Sequence, residues 1–290
     1  MPYPGAGRFA PSPTGALHQG SLLTAVASWL DAKSQGLAWL LRFDDLDSAR
    51  NLPGAEAAIC RALEAHALFW DGTFVRQSLR TERYAVALAQ LSALGLTYCC
   101  TCSRLTLAGT TIYPGTCRSL GLPDEQSAIR FRCHPGMITF EDDYRGRQQI
   151  DVAAETGDFV IRRRDRIFSY ALATAVDDGD PEITRVVRGR DLLHLTGVQL
   201  ALIDALGCER PSYAHLPLVV NSTGQKLSKQ TRAQPLDDAQ ALANLRWTLN
   251  ALGQPSSETP VRTPSELLST AVSTWNPSLI PGTDITLDST

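Results

Sequence analysis

The sequence predicts an α/β protein: a parallel sheet with helices on its faces, an insertion in the middle and a short helical region at the end. Three observations carry that prediction. Residues 7–94 alternate short apolar runs with segments of helical period, in the order β-α-β-α-α. The stretch 96–165 changes character. From Phe168 the α/β alternation resumes.

Each element has a local reason. Gly7-Arg8-Phe9-Ala10-Pro11-Ser12-Pro13 reads as a short strand running into a loop stiffened by proline. Leu22, Leu23, Val26, Ala27 and Leu30 recur at helical spacing to about Ser34, with Gly36 as a stop. The apolar run 37–43 is a buried strand that delivers Asp44, Asp45 and Asp47 at its C-terminal end. Residues 55–68 and 81–94 are two further helices. Between 96 and 165 lie strand-like pieces at 128–133 and 158–164. Residues 169–176 read as a strand or a buried segment, 191–206 as a helix and 216–220 as a strand ahead of the turn Asn221-Ser222-Thr223-Gly224. An amphipathic helix over 236–252, a proline-rich linker at 255–264 and a last helix near 265–274 complete the chain. The expected division is 1–95 and 166–235 as two halves of one domain, 96–165 as an insertion and 236–290 as a helical C-terminal region.

Composition narrows the class. The 290 residues are 43% hydrophobic and 20% charged, which excludes disorder, collagen and coiled coil. No apolar run reaches the roughly 18 residues a membrane helix needs, and the N-terminus has no apolar signal core. Seven cysteines, an odd number in a long chain, argue against a disulfide framework and for the cytosol. A net charge of −3 gives no global attraction to nucleic acid, so RNA binding must use local patches. Of 27 basic residues only Lys33, Lys226 and Lys229 are lysines. Two of them share one short loop, which suits a need for compact, mobile charge; codon bias would give the same count.

Two segments carry chemistry. In Pro11–Ser21 a strand ends, a rigid loop turns and a helix begins with His18 and Gly20 in its first turn. The free N–H groups and the dipole of such a helix start favour an anion. Gly20 permits close approach of a nucleotide, and His18 can donate to a phosphate oxygen. Alone, His18 reads more simply as an exposed residue on a capped helix. The second segment is Lys226-Leu227-Ser228-Lys229-Gln230, whose lysines can neutralise charge building on a triphosphate; alone, it is a solvated charged loop. The cysteines Cys99, Cys100 and Cys102, with Cys117 fifteen residues on, are spaced for one metal, and thiolates favour Zn²⁺. Spacing leaves Cys99 or His134 open as further ligands, and buried reduced thiols remain the alternative. Strand alternation would send Arg162 and Arg164 to one face, toward RNA phosphates or simply solvent. Asp177-Asp178 could cap an element or meet a ribose and defines no site alone.

The pairing of the two segments resembles class I aminoacyl-tRNA synthetases. Arg8-Phe9-Ala10-Pro11-Ser12-Pro13-Thr14-Gly15 and Arg42-Phe43-Asp44-Asp45-Leu46-Asp47 narrow the resemblance to the glutamyl/glutaminyl branch. Three features point within it to a truncated paralogue of the glutamyl enzymes. The first motif ends Gly20-Ser21 rather than Gly-His, the loop reads Lys-Leu-Ser-Lys-Gln, and the chain stops about 60 residues after that loop, with no anticodon-binding domain. The resemblance runs from Gly7 to Ala233.

It implies a Rossmann-like nucleotide-binding domain with a zinc-containing insertion, and it implies roles. Arg8, Ala10, Ser12, Asp44, Tyr170 and Arg188 match glutamate contacts, with Arg8 on the side-chain carboxylate and Asp44, where the family has Glu, on the amino group. The residues alone equally allow a surface salt bridge from Arg188 to Asp191. His18, Gly20, Ser21, Lys226, Ser228 and Lys229 match the ATP site, with His18 and Lys229 as catalytic groups. Cys100, Cys102, Tyr113 and Cys117 match the ligands of a structural Zn²⁺. Arg190 departs from the small residue usual there. The implied reaction is Mg²⁺-assisted activation of L-glutamate by ATP without tRNA. Transfer to queuosine at the wobble position of tRNA(Asp) follows, the anticodon stem-loop itself entering the cleft. A cytoplasmic monomer is expected. The alternatives are charging of a tRNA 3′ end and a catalytically silent tRNA-binding paralogue, against which the lysine pair argues.

Overall fold

The computed structural model describes residues 3–103, 105–227, 234–255 and 260–287. The chain opens with β1 (Ala6–Phe9), α1 (Gln19–Ser34), β2 (Ala38–Phe43), α2 (Ala55–Ala65), a two-residue strand β3 (Val75–Arg76) and α3 (Thr81–Ala93). The middle holds β4 (Thr97–Cys100), β5 (Ala128–Phe131), β6 (Ile138–Asp142), β7 (Gly146–Ile150), the single turn α4 (Val152–Glu155) and β8 (Val160–Arg162). There follow α5 (Tyr170–Asp178), β9 (Ile183–Gly189), α6 (Leu193–Ala205), β10 (Ser212–Leu216), β11 (Val219–Val220), α7 (Ala241–Ala251), α8 (Pro264–Thr274) and β12 (Ile285–Thr286).

The main sheet has the order β3-β2-β1-β9-β10-β6-β7. All its neighbours are parallel except the β6-β7 hairpin. Period-two alternation splits its side chains between two helical layers. Phe9, Leu41, Phe43, Val187, Ala214 and Leu216 face the core made with α1, α2, α7 and α8. Val186 and Tyr213 face the core made with α5 and α6. Leu22, Leu23, Val26 and Leu30 of α1 are completely covered. Each such side chain contributes about 1.5–3 kcal/mol of burial.

The stretch 96–165 does not stand apart as one unit. Strands β4, β5 and β8 form their own antiparallel sheet, while β6 and β7 extend the edge of the main sheet. The hairpin is drawn there by its apolar residues: Phe140 and Ile150 sit in the core with α6. Gly197 of α6 leaves the space that Ile150 fills, since a Cβ there would lie 2.8 Å from Ile150 Cγ2.

Four local readings change. Residues 170–178 are a helix, not a strand. A short, mostly buried apolar run is ambiguous between strand and helix, and the deciding signal is Ser169, whose hydroxyl caps the helix by accepting from Leu172 N–H (3.3 Å). The run 216–220 is two strands broken at Pro217, which has no N–H for a ladder. Strand β8 ends at Arg162, so Arg162 and Arg164 do not share a strand face. Arg162 pairs with Asp124, and Arg164 donates to Thr101 O (2.7 Å). The C-terminal region carries α7 and α8 but also β12, which pairs with β11.

The chain moves from β1 to β2 on one side and returns through β9 to β10 on the other. Between the C-terminal ends of β1 and β9 the strand order reverses, which is where an open α/β sheet leaves a ligand crevice.

Candidate active site

A cavity of about 390 Å³ opens at that reversal. Arg8, Ala10 and Ser12 line it from β1 and the following loop, His18, Gly20 and Ser21 from the start of α1, Tyr170 from α5, Arg188 from β9 and Lys226 from the turn after β11. Nine predicted site residues, spread over 219 positions of sequence, thus share one wall. Ser228 and Lys229 lie outside the described residues. Asp44 does not line the cavity. It sits behind the loop, its N–H donating to Pro11 O (3.2 Å).

At the helix end, His18 is the N-cap of α1 rather than a member of its first turn. Its Nδ1 accepts from Ser21 N–H (3.2 Å) and its own N–H donates to Ser21 Oγ (2.7 Å). With Nδ1 accepting, the neutral ring carries its proton on Nε2. Gly20 is held close to this ring: a Cβ would stand 3.2 Å from His18 Cε1. Lys226 pairs with Asp191. Arg188 itself is buried and forms no ion pair with Asp191 among the described residues, so the surface salt bridge weighed for it is not made.

The other end is built on arginines that alternation sends to the α5 side of the sheet. Arg8 is buried and gives Nε (3.1 Å) and Nη2 (3.0 Å) to Asp178 of α5; its Nη1 reaches Val187 O at 3.4 Å. Arg42 of β2 donates Nη1 to the same carboxylate (2.7 Å) and Nε to Asp44 (2.8 Å). Burial would raise the Asp178 carboxyl, but the two guanidiniums outweigh it and hold it well below the usual carboxylate range. For Asp44 burial wins over Arg42, and its carboxyl is pushed up to about 6. Asp45 is consumed by Ser78, accepting from its N–H (2.8 Å) and hydroxyl (2.6 Å). Tyr84 and Gln77 donate to Asp177. Arg188 is also buried, yet its partners are neutral: Nε donates to His215 Nε2 (3.0 Å) and Nη2 to Thr196 Oγ1 (2.8 Å).

Arg42, Asp178, His215 and Thr196 were not among the predicted site residues. Asp178 was visible as half of an acidic pair, but only a helix over 170–178 turns it toward the sheet. His215 sits in the apolar run Tyr213–Val220, where a lone histidine is a signal of a buried polar contact.

In the stretch 96–165, the sulfurs of Cys100, Cys102 and Cys117 lie within 4.8 Å of one another. The Tyr113 hydroxyl is 3.4 Å from Cys100 Sγ and 3.8 Å from Cys102 Sγ, and it accepts from Cys117 N–H (2.9 Å). Burial would raise the Cys117 thiol, but the hydrogen bond from Tyr113 helps bring it down to about 7. Cys99 and His134 do not join this group.

A parallel sheet with a crevice at its switch point, a helix start on one side and a lysine-bearing turn on the other defines the catalytic domain of a class I tRNA synthetase. The family model described as tRNA synthetases class I (E and Q), catalytic domain, matches residues 6–110 and 114–249. The glutamyl-Q tRNA(Asp) synthetase of Ectopseudomonas mendocina is 48% identical over 95% of this chain and 94% of its own length, and that of Pseudomonas aeruginosa 47% over the same shares. The chain belongs to this glutamyl-Q tRNA(Asp) synthetase family of class I enzymes. Among solved structures, a glutamate tRNA ligase from Elizabethkingia meningosepticum, in complex with its amino acid, superposes with a TM-score of 0.81 at 24% identity. The match covers 99% of this chain and 67% of that one and describes the fold alone.

Proposed function

We propose that the chain activates L-glutamate with ATP, without tRNA, and then esterifies the glutamate to queuosine at the wobble position of tRNA(Asp). The observation that carries this reading is the single cavity joining the α1 N-terminus to the buried guanidiniums of Arg8 and Arg188. One end suits phosphates, the other carboxylates.

In the first step a glutamate α-carboxylate oxygen attacks the α-phosphorus of ATP and pyrophosphate leaves. His18 through Nε2–H, with Gly20 and Ser21 at the helix start, would hold the nucleotide. Lys226, Ser228 and Lys229 would meet the phosphates, Lys229 stabilising charge on the departing pyrophosphate. Arg8, Ala10, Ser12, Tyr170 and Arg188 would hold glutamate, and Asp44, behind the loop and bonded to Arg42, would act on its ammonium only through its charge. Mg²⁺ arriving with ATP would neutralise phosphate charge. In the second step a hydroxyl on the cyclopentene ring of queuosine attacks the acyl carbon and AMP leaves, the anticodon stem-loop entering the cleft. Cys100, Cys102, Cys117 and Tyr113 fit one structural Zn²⁺. We place the protein in the cytoplasm as a monomer; its seven free cysteines suit that compartment. Among the described residues no helix is long and apolar enough to cross a membrane.

The test is ATP–pyrophosphate exchange without tRNA, with glutamate, glutamine or aspartate. Exchange with glutamate alone, lowered at least about a hundredfold in Lys229→Ala, supports the reading. Exchange that appears only once tRNA is added points to charging of a 3′ end, and none under any condition to a silent RNA-binding protein.

A further inference from the structure

We propose that Asp142, His215 and Thr196 form a positioning shell that fixes the guanidinium of Arg188 against the cavity, so that glutamate affinity depends on residues outside the cavity wall. The inference rests on the glutamate reading of Arg188 above.

The shell spans three adjacent strands and one helix. Asp142 ends β6, His215 lies on β10 and Arg188 on β9, directly opposite His215 in the ladder; Thr196 projects from α6. All four side chains are buried. The hydrogen bonds allow one assignment. Arginine only donates, so His215 Nε2 must accept from Arg188 Nε. The ring proton is then on Nδ1, where the Asp142 carboxylate accepts it. The same carboxylate accepts from His215 N–H (3.1 Å), gripping ring and main chain together. Burial holds the imidazole below its ordinary pKa despite the carboxylate, which keeps the Nε2 lone pair available. Thr196 Oγ1 accepts from Arg188 Nη2 and can donate to Leu192 O (3.3 Å).

Two edges of the guanidinium are therefore clamped by neutral acceptors. The third nitrogen, Nη1, is buried and has no hydrogen-bond partner among the described residues. An unpaired buried guanidinium nitrogen is costly to leave unmet, and Arg188 lines the cavity. A carboxylate ligand supplies both the missing acceptor and a countercharge in direct contact. The two groups that touch the guanidinium are neutral, and the shell's one carboxylate, Asp142, is taken up by the ring and main chain of His215.

The test measures glutamate KM, ATP KM and kcat by exchange, with melting temperature, for His215→Leu, His215→Gln, Thr196→Val and Arg188→Lys. A lost hydrogen bond to a charged group predicts glutamate KM raised about tenfold to a hundredfold in His215→Leu and Thr196→Val, with ATP KM within about twofold. His215→Gln, which restores an acceptor to Arg188 Nε, recovers most of the affinity. If Arg188→Lys raises glutamate KM while His215→Leu and Thr196→Val leave it unchanged, the shell is overturned. It is overturned equally if these variants lower melting temperature and all kinetic parameters together without a selective glutamate effect. If Arg188→Lys itself leaves glutamate KM unchanged, the underlying reading of Arg188 fails instead.

Discussion

Arg8 and Arg188 stand on adjacent parallel strands, on the same face of the sheet, and both line one cavity, yet they are held in opposite ways. Arg8 is clamped by the carboxylate of Asp178, which also takes Arg42. Arg188 is clamped by an imidazole and a hydroxyl. The first group shares its charge with a carboxylate inside the protein; the second is touched only by neutral groups and has more of it to offer a ligand. A pair buried with its countercharge chiefly holds the fold together, since leaving either partner alone there is expensive. A buried cation held by neutral acceptors chiefly attracts an anion.

The largest effect that would sharpen this contrast is on stability. Asp178→Ala strands the buried guanidinium of Arg8 and leaves Arg42 with Asp44 and Asp177, and it should cost about 3–5 kcal/mol in urea unfolding. A loss below about 1 kcal/mol, the scale of an exposed pair, would remove the distinction between the two arginines. Arg188→Met should reverse the pattern. It deletes a cation with no carboxylate partner, so the loss should appear mainly as weaker glutamate binding, by about 1.5–3 kcal/mol in calorimetry.

A smaller effect concerns pH. The folded pKa of His215 lies below its unfolded value near 6.5, so the unfolded chain takes up the proton first and stability falls as pH drops through that range. Asp178 works in the same direction at lower pH: its contribution is present above the unfolded value near 4 and is lost as pH falls through its lower folded value. Asp44, pushed up to about 6, works oppositely, because the folded state binds its proton first as pH falls from 6 toward 4. Comparing wild type with His215→Gln cancels Asp178 and Asp44, and Asp142, which faces the ring, stays ionised over this range. The stability difference between them should shrink from pH 7 to pH 5, and a difference independent of pH would contradict a buried neutral imidazole. The smallest effect belongs to Arg190, half-exposed and paired with Asp284. Arg190→Ala should change stability by less than about 1 kcal/mol.

What the sequence made legible follows from the kind of signal each region sends. The first half of the sheet was readable because α1 repeats its large apolar residues over a length no strand reaches, α2 has one apolar face, and both end at glycines or turns. The helix 170–178 was not, because nine mostly buried residues are short enough to be a strand. The two sheets drawn from 96–165 were hidden for a related reason: partner choice between strands depends on distant residues such as Gly197 and Ile150. For the site, the wall residues came from motifs local in sequence. The groups behind the wall came from elsewhere in the chain. Asp178 lies 170 positions from Arg8, and Asp142 lies 73 from His215. No spacing rule links such pairs.

The most direct test of the account compares glutamate KM in tRNA-free exchange for Arg188→Lys and Arg8→Lys. Lysine keeps the charge beside Asp178 in the second variant, whereas in the first it removes the Nη1 donor left for the ligand and the fork that His215 and Thr196 hold. The account predicts a rise in glutamate KM for Arg188→Lys at least about tenfold larger than for Arg8→Lys, the scale of one charged hydrogen bond. An equal rise in both, or a larger one for Arg8→Lys, would contradict it.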